Sequence, residues 1–272
     1  GGSGTYTVGV ADTVKSLDNN GTSTFNGDFT TTGNITNTGT VNINAATTVQ
    51  DAFTNNSGGT INQAEDLNVT NALTNDDMLN VTATSSADVD TFVGTGTMNI
   101  NDTKTLTLNQ SGTSDYAGTI EGLGGFTKTG TGTLTLSGGT AANTYTGDTS
   151  INGGTLVFDR TAGTNAVSGA VTLNGGTLEL GKDEQIADGA QVTISSGTFN
   201  LADQSETVGS IADGGMGGGD ITLGSGALTA GDNTDTTFSG AISGTSTGSL
   251  TKAGSGELTL SGTNTYDGAT DI

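Results

Sequence analysis

Short apolar runs recur along this chain at a nearly constant interval, and that interval restricts the fold more than any other feature. Val41, Ile61, Leu79 and Met98 each follow a Gly-Thr or equivalent turn, and they are separated by 20, 18 and 19 residues. Leu134, Leu156, Leu178 and Phe199 continue the series at a slightly longer pitch. A fixed period of this size marks a solenoid, in which each repeat buries its apolar side only by stacking on its neighbours. Within the repeats, Leu134-Thr135-Leu136, Leu156-Val157-Phe158, Leu178-Glu179-Leu180 and Phe199-Asn200-Leu201 place apolar groups two residues apart, which is the strand period. No helix-period stripe stands out, and long stretches of Thr, Asn and Gly are poor helix formers.

The fold class that follows is all-β: a right-handed parallel β-helix, or β-solenoid, of about twenty residues per coil. Such a coil brings equivalent strands into parallel register, which an up-and-down barrel would not. With rungs ~4.8 Å apart and roughly thirteen of them, the rod expected is on the order of 60 Å long. Composition agrees with a thin core repeated many times. Large apolar side chains are scarce (Phe 8, Tyr 4, Trp 0) and Gly is abundant at 47, so a deep core of stacked aromatics is unavailable. The paired glycines Gly153-Gly154 and Gly175-Gly176 suit corners that need positive φ or close backbone approach. The same composition and a net charge of -22 would also fit a disordered linker, but the regular apolar placement argues against one.

Six basic residues against 28 acidic ones leave no patch to neutralise phosphates, so nucleic acid and anionic membrane surfaces are disfavoured as partners. No run of eighteen apolar residues is present to span a bilayer as a helix. Cysteine is absent, which removes disulfides and thiolate chemistry together. The absence is compatible with a chain that crosses a periplasm and an outer membrane unfolded. The first residues carry neither an initiator Met nor a charged-then-apolar leader, so a secretion signal is expected outside this segment.

A duplication overlies the finer period. Gly125-Phe126-Thr127-Lys128-Thr129-Gly130-Thr131-Gly132-Thr133-Leu134-Thr135-Leu136-Ser137-Gly138 recurs as Ser249-Leu250-Thr251-Lys252-Ala253-Gly254-Ser255-Gly256-Glu257-Leu258-Thr259-Leu260-Ser261-Gly262. Both copies continue to an Asn-Thr-Tyr, at Asn143-Thr144-Tyr145 and Asn264-Thr265-Tyr266. Upstream, Tyr116-Ala117-Gly118-Thr119-Ile120 matches Phe238-Ser239-Gly240-Ala241-Ile242. A weaker match links Ser3-Gly4-Thr5-Tyr6 to Ser196-Gly197-Thr198-Phe199.

The block from Gly125 to Phe158 resembles the passenger-associated transport repeat of bacterial autotransporters, also described as the autotransporter-associated β-strand repeat. The residues that carry the resemblance are the Lys-x-Gly-x-Gly-x-Leu-x-Leu core, the following Asn-Thr-Tyr, and Ile151-Asn152-Gly153-Gly154-Thr155-Leu156-Val157-Phe158; Ser249 to Ile272 matches the first part again. The resemblance implies a surface-exposed passenger segment, extracellular and non-enzymatic. It implies as partner an outer-membrane translocator barrel of the same polypeptide, beyond this segment. Residues 1–272 are then expected to form one continuous β-helix with four blocks: divergent N-terminal coils over 1–112, a first transport-repeat block over 113–158, spacer coils over 159–237, and a second, truncated block over 238–272. Joining Ile272 to Gly1 would read Thr270-Asp271-Ile272-Gly1-Gly2-Ser3-Gly4-Thr5-Tyr6, close to Thr149-Ser150-Ile151-Asn152-Gly153-Gly154-Thr155-Leu156, so a tandem array or end-to-end self-association is a further expectation. The host or surface ligand is left open.

No catalytic, cofactor-binding or metal-ligating residue is assigned. Parallel β-helices also host polysaccharide lyases and hydrolases, whose sites combine carboxylates with a basic residue or pair two carboxylates about a sugar. Here His is absent, Arg160 is the only arginine, and Lys15, Lys104, Lys128, Lys182 and Lys252 are scattered. The duplicated Lys128 and Lys252 read as structural or solvated positions. Acidic groups at Asp76-Asp77, Asp183-Glu184, Asp213 with Asp220, and Asp232 with Asp235 read as solvated corners, with weak Ca²⁺ binding the alternative at Asp232-Asn233-Thr234-Asp235. The Thr-x-Thr run from Thr127 to Thr135 would suit an ice- or mineral-binding face, but Thr is also simply a good strand residue. Asn34, Asn68 and Asn80 stand in Asn-x-Thr triplets, as chance predicts in such a composition.

Overall fold

The computed structural model describes residues 4–215 and 217–272. Gly1, Gly2 and Ser3 lie outside the described residues, so the Ser3-Gly4-Thr5-Tyr6 match and the Ile272-to-Gly1 junction have no structural counterpart here. Among the described residues every regular element is a β-strand. The strands of successive turns pair in parallel, as a β-solenoid requires. Contacts divide the chain into two compact units, Gly1–Leu134 with Thr144–Thr146, and Thr135–Asn143 with Gly147–Ile272.

The first unit contains a seven-stranded parallel sheet made of Thr5–Val8, Thr22–Phe25, Thr40–Ile43, Thr60–Gln63, Met78–Val81, Thr97–Ile100 and Thr119–Gly122. Alternation decides what each strand buries. Val41, Ile61, Leu79, Met98 and Ile120 are register partners in one inward column, and all five are fully buried. The sequence period therefore reads the coil length directly. A second face is built from Asp12–Val14, Phe29–Thr31, Thr47–Val49, the first half of Leu67–Asn75, Ser85–Val93, Thr105–Gln110 and Gly125–Thr129. A third stacks Leu17–Asn19, Ile35–Asn37 and Phe53–Asn55 onto the second half of Leu67–Asn75. Two stacked aromatic pairs stand in this thin core: Phe25 on Phe29 at 4.0 Å and Phe92 on Tyr116 at 4.5 Å.

The third face also buries four asparagines in register, Asn19, Asn37, Asn55 and Asn75. Each donates from Nδ2 to Oδ1 of the next, at 2.7, 2.7 and 2.9 Å. Ser23 Oγ donates to Asn19 Oδ1 at one end, and at the other Asn75 donates to the Tyr116 hydroxyl, which donates to Gly96 O. Spare amide hydrogens reach Thr40 O, Thr60 O, Met78 O and Thr97 O of the facing sheet. Burial of a carboxamide is tolerable only when donors and acceptors are matched, and here the match repeats once per coil. A second, outward ladder runs through Asn99, Asn80, Asn62 and Asn42 to Thr24, with each Nδ2 donating towards the N-terminus.

In the second unit Leu156, Leu178, Phe199, Ile221 and Ile242 form one buried column, and Val171, Val192 and Ile211 form another. Beside them runs a column of glycines, Gly154, Gly176, Gly197, Gly219, Gly240 and Gly262. A Cβ on any of the last five would overlap the carbonyl oxygen of the glycine one coil earlier. Gly154, Gly176 and Gly197 also have positive φ, so the paired glycines of the sequence serve both needs expected of them.

Candidate functional site: the repeated block and its buried polar groups

The duplicated block is duplicated in structure. Tyr116 and Phe238 are both fully buried, and each ring lies against the glycine two residues later. A Cβ on Gly118 would stand 2.6 Å from Tyr116 Cζ, and one on Gly240 would stand 2.7 Å from Phe238 Cζ. Phe126 and Leu250 are buried at equivalent points. The Asn-Thr-Tyr segments dock alike: the amide of Thr144 donates to Ile120 O at 2.9 Å, and that of Thr265 to Ile242 O at 2.8 Å. Tyr145 is fully buried and Tyr266 half-buried.

The duplicated lysines are structural. Lys128 takes an inward position whose register partner one coil earlier is Leu108, and it is fully buried. Its Nζ donates to Thr129 O at 2.6 Å, at the entrance of the Gly130 corner, and burial pulls the amine down to about 8. Lys252, half-buried, donates in the same way to Ala253 O. A Leu-to-Lys exchange within an apolar column is tolerable because the long stem packs while the tip reaches a carbonyl.

Arg160, which sequence reasoning passed over, anchors the second unit and is 1% exposed. Its Nη1 donates to Ala141 O and its Nη2 to Asn143 Oδ1, each at 2.6 Å. Asn143 Nδ2 in turn donates to Ala166 O at 2.8 Å. The Arg160 amide donates to Gln185 Oε1 at 2.7 Å, and the amides of Gln185 and Ile186 donate to the Glu206 carboxylate at 2.8 and 3.2 Å. Glu206 occupies a column position whose next register partners are Leu228 and Leu250. Burial pushes its carboxyl up to about 8, opposed by those two amide bonds. The pairing of Asn143 with Arg160 is the signal that sequence could have offered: an isolated guanidinium 17 residues after the motif asparagine, nearly one coil on.

The acidic corners do more than meet solvent. Asp66, Asp76, Asp183, Asp203, Asp213 and Asp235 each accept, on Oδ1, a backbone N–H from 19 to 26 residues later, at 2.7 to 3.2 Å. Asp77 accepts from Gly58, one coil earlier. The corner carboxylates thus clamp neighbouring coils, a role the solvated-corner expectation missed because it depends on the stacking register. In the Asp232-Asn233-Thr234-Asp235 loop the hydroxyl and amide of Thr234 both bond Asp232 Oδ1 and hold its carboxyl below the usual range. Asp235 Oδ1 is engaged by Glu257 N. Among the described residues no group of three or more acidic side chains converges as a metal site would require.

A family model described as passenger-associated-transport-repeat matches residues 126–158, 161–180 and 250–272. The chain carries passenger-associated transport repeats. Two of the matched segments begin at Phe126 and Leu250, the equivalent buried residues of the duplicated block, and contain Lys128, Lys252 and both Asn-Thr-Tyr segments. The repeats also take in 161–180, where the sequence reading placed a spacer coil. No curated protein and no solved structure matches the chain.

Proposed function

We propose that this chain is a structural segment of an autotransporter passenger, a surface-exposed stalk joined in the same polypeptide to an outer-membrane translocator barrel. The observation that carries the reading is the transport repeat itself, matched over residues whose buried side chains recur in equivalent solenoid positions. The basic residues support a structural role over catalysis. Arg160 and Lys128 are committed to carbonyl and carboxamide partners inside the coils, and Lys182 pairs with Asp159 at the surface at 3.0 Å. Adhesion enters this proposal through the family resemblance, and end-to-end assembly into a fibre through the likeness of the Ile272-to-Gly1 junction to the sequence from Thr149 to Leu156.

An epitope tag placed in the exposed Asp102-Thr103 corner of the whole protein tests it. In intact cells the tag should bind antibody and be removed by added protease. A tag reached only after lysis would overturn the reading. Release of reducing sugar from polysaccharides by the purified chain would instead favour a carbohydrate-active β-helix.

A further inference from the structure

A concavity on the outer face of the first unit has no part in the repeat motif. It encloses about 310 Å³ and lies across three coils, lined by Asn68, Asp88, Asn109, Thr70, Asp90 and Ser111, with Val69 and Val89 beneath. Its position follows from the strand register. Asn68, Asp88 and Asn109 are successive partners pointing outward, and beside them the register of Leu67–Asn75 shifts between Val69 and Ala72, where the coil turns its corner. The result is a carboxylate with a carboxamide on each side, one per rung, at a spacing of ~4.8 Å.

We propose that this groove binds a neutral saccharide of one or two rings. The argument is the alternation of hydrogen-bonding types. Among the described residues, the side chains of Asn68, Asp88 and Asn109 have no hydrogen-bond partner, although the other asparagine columns of this unit are bonded rung to rung. Ser111 Oγ donates to Asp90 Oδ1 at 2.9 Å, which leaves the second oxygen of Asp90 to accept. Sugar hydroxyls donate and accept at once, so a row of carboxamide, carboxylate and carboxamide with hydroxyls alongside matches them. A divalent cation is favoured by several charged oxygens converging on one point, and among the described residues no group of three or more acidic side chains is gathered in that way. A peptide would want an apolar or aromatic anchor, and the lining has none exposed. The volume falls at the lower end of the range of small-molecule sites, which limits the occupant to one or two rings. This inference does not rest on the stalk reading, since the groove is tested on the purified chain and surface exposure on cells.

The test is a titration of the isotope-labelled chain with cellobiose, maltose, lactose, mannobiose and chitobiose, observed at the side-chain amides of Asn68 and Asn109 by NMR. At least one sugar should shift both amides saturably. Asp88→Ala, at a half-exposed position outside the core, should weaken that sugar by about tenfold or more. The Asn42 and Asn62 amides of the outward ladder should not move. The proposal is overturned if none of the five sugars shifts the two amides, if Asp88→Ala binds as the parent does, or if only Ca²⁺ or tetralysine shifts them. That last outcome would assign the groove to cations.

Discussion

Asn37→Ala is the substitution that most sharply separates a structural asparagine ladder from incidental polar burial. Asn37 is fully buried and makes five hydrogen bonds. Its Nδ2 donates to Asn55 Oδ1, Gly39 O and Thr60 O, and its Oδ1 accepts from Asn19 Nδ2 and the Gly39 amide. Truncation leaves Asn55 Oδ1 without its donor and the Gly39 amide without its acceptor, while Asn19 keeps Thr40 O and Gly21 O. Each orphaned buried group costs about 1–3 kcal/mol, so with the small void the loss is about 3–5 kcal/mol. Asn42→Ala is the control. Its ladder is outward and half-exposed, water can replace Asn62 and Thr24 as partners, and the cost is about 1 kcal/mol or less. Urea unfolding at constant slope reports the difference, and hydrogen exchange of the Thr22–Phe25 and Thr40–Ile43 amides localises it without assuming that the two units unfold together. Asn37→Asp should be worse still, because a carboxylate would face three acceptors. The reasoning fails if Asn37→Ala is no more destabilising than Asn42→Ala.

Two buried ionisable groups give opposite pH signatures. Glu206 has a folded pKa raised from 4.5 to about 8, so its contribution is complete below 4.5 and is lost as pH rises through 8. Melting temperatures of Glu206→Gln should lack that fall, and an unchanged slope between pH 5 and pH 8 would contradict the assignment. Lys128 has a folded pKa lowered from 10.5 to about 8, so its contribution is complete above 10.5 and is lost as pH falls through 8. Lys128→Met should remove the rise in stability between pH 8 and pH 10.5 and leave neutral-pH stability equal or higher, read by urea titration at three pH values. At the corner, Asp203 accepts both the amide and the hydroxyl of Ser225 at 2.7 and 3.1 Å with φ 73°. Asp203→Ala should cost about 1–2 kcal/mol and Asp203→Asn much less, since Asn keeps the acceptor and tolerates that φ. Equal losses in the two variants would refute the clamp.

What the sequence made legible was whatever repeats at coil length on a single face. The Val41, Ile61, Leu79 and Met98 series needed no structure, because apolar residues one coil apart share a column and Gly-Thr turns mark where each coil begins. The buried asparagines have the same spacing but were hidden by composition, since Asn is common everywhere in this chain and only register separates Asn37, facing inward, from Asn42, facing out. Lys128 illustrates the limit from the other side. Its inward direction was already encoded by the two-residue alternation from Phe126, yet a lysine in an apolar column is discounted on chemistry until a carbonyl within reach is known. The same holds for Glu206 two residues before Val208, and for Asp88 flanked by Asn68 and Asn109 on the outer side. In a solenoid the chemistry of a residue is set by the residue one coil away, so motif searches along the chain find the frame, and searches at an offset of about twenty find the interactions that close it.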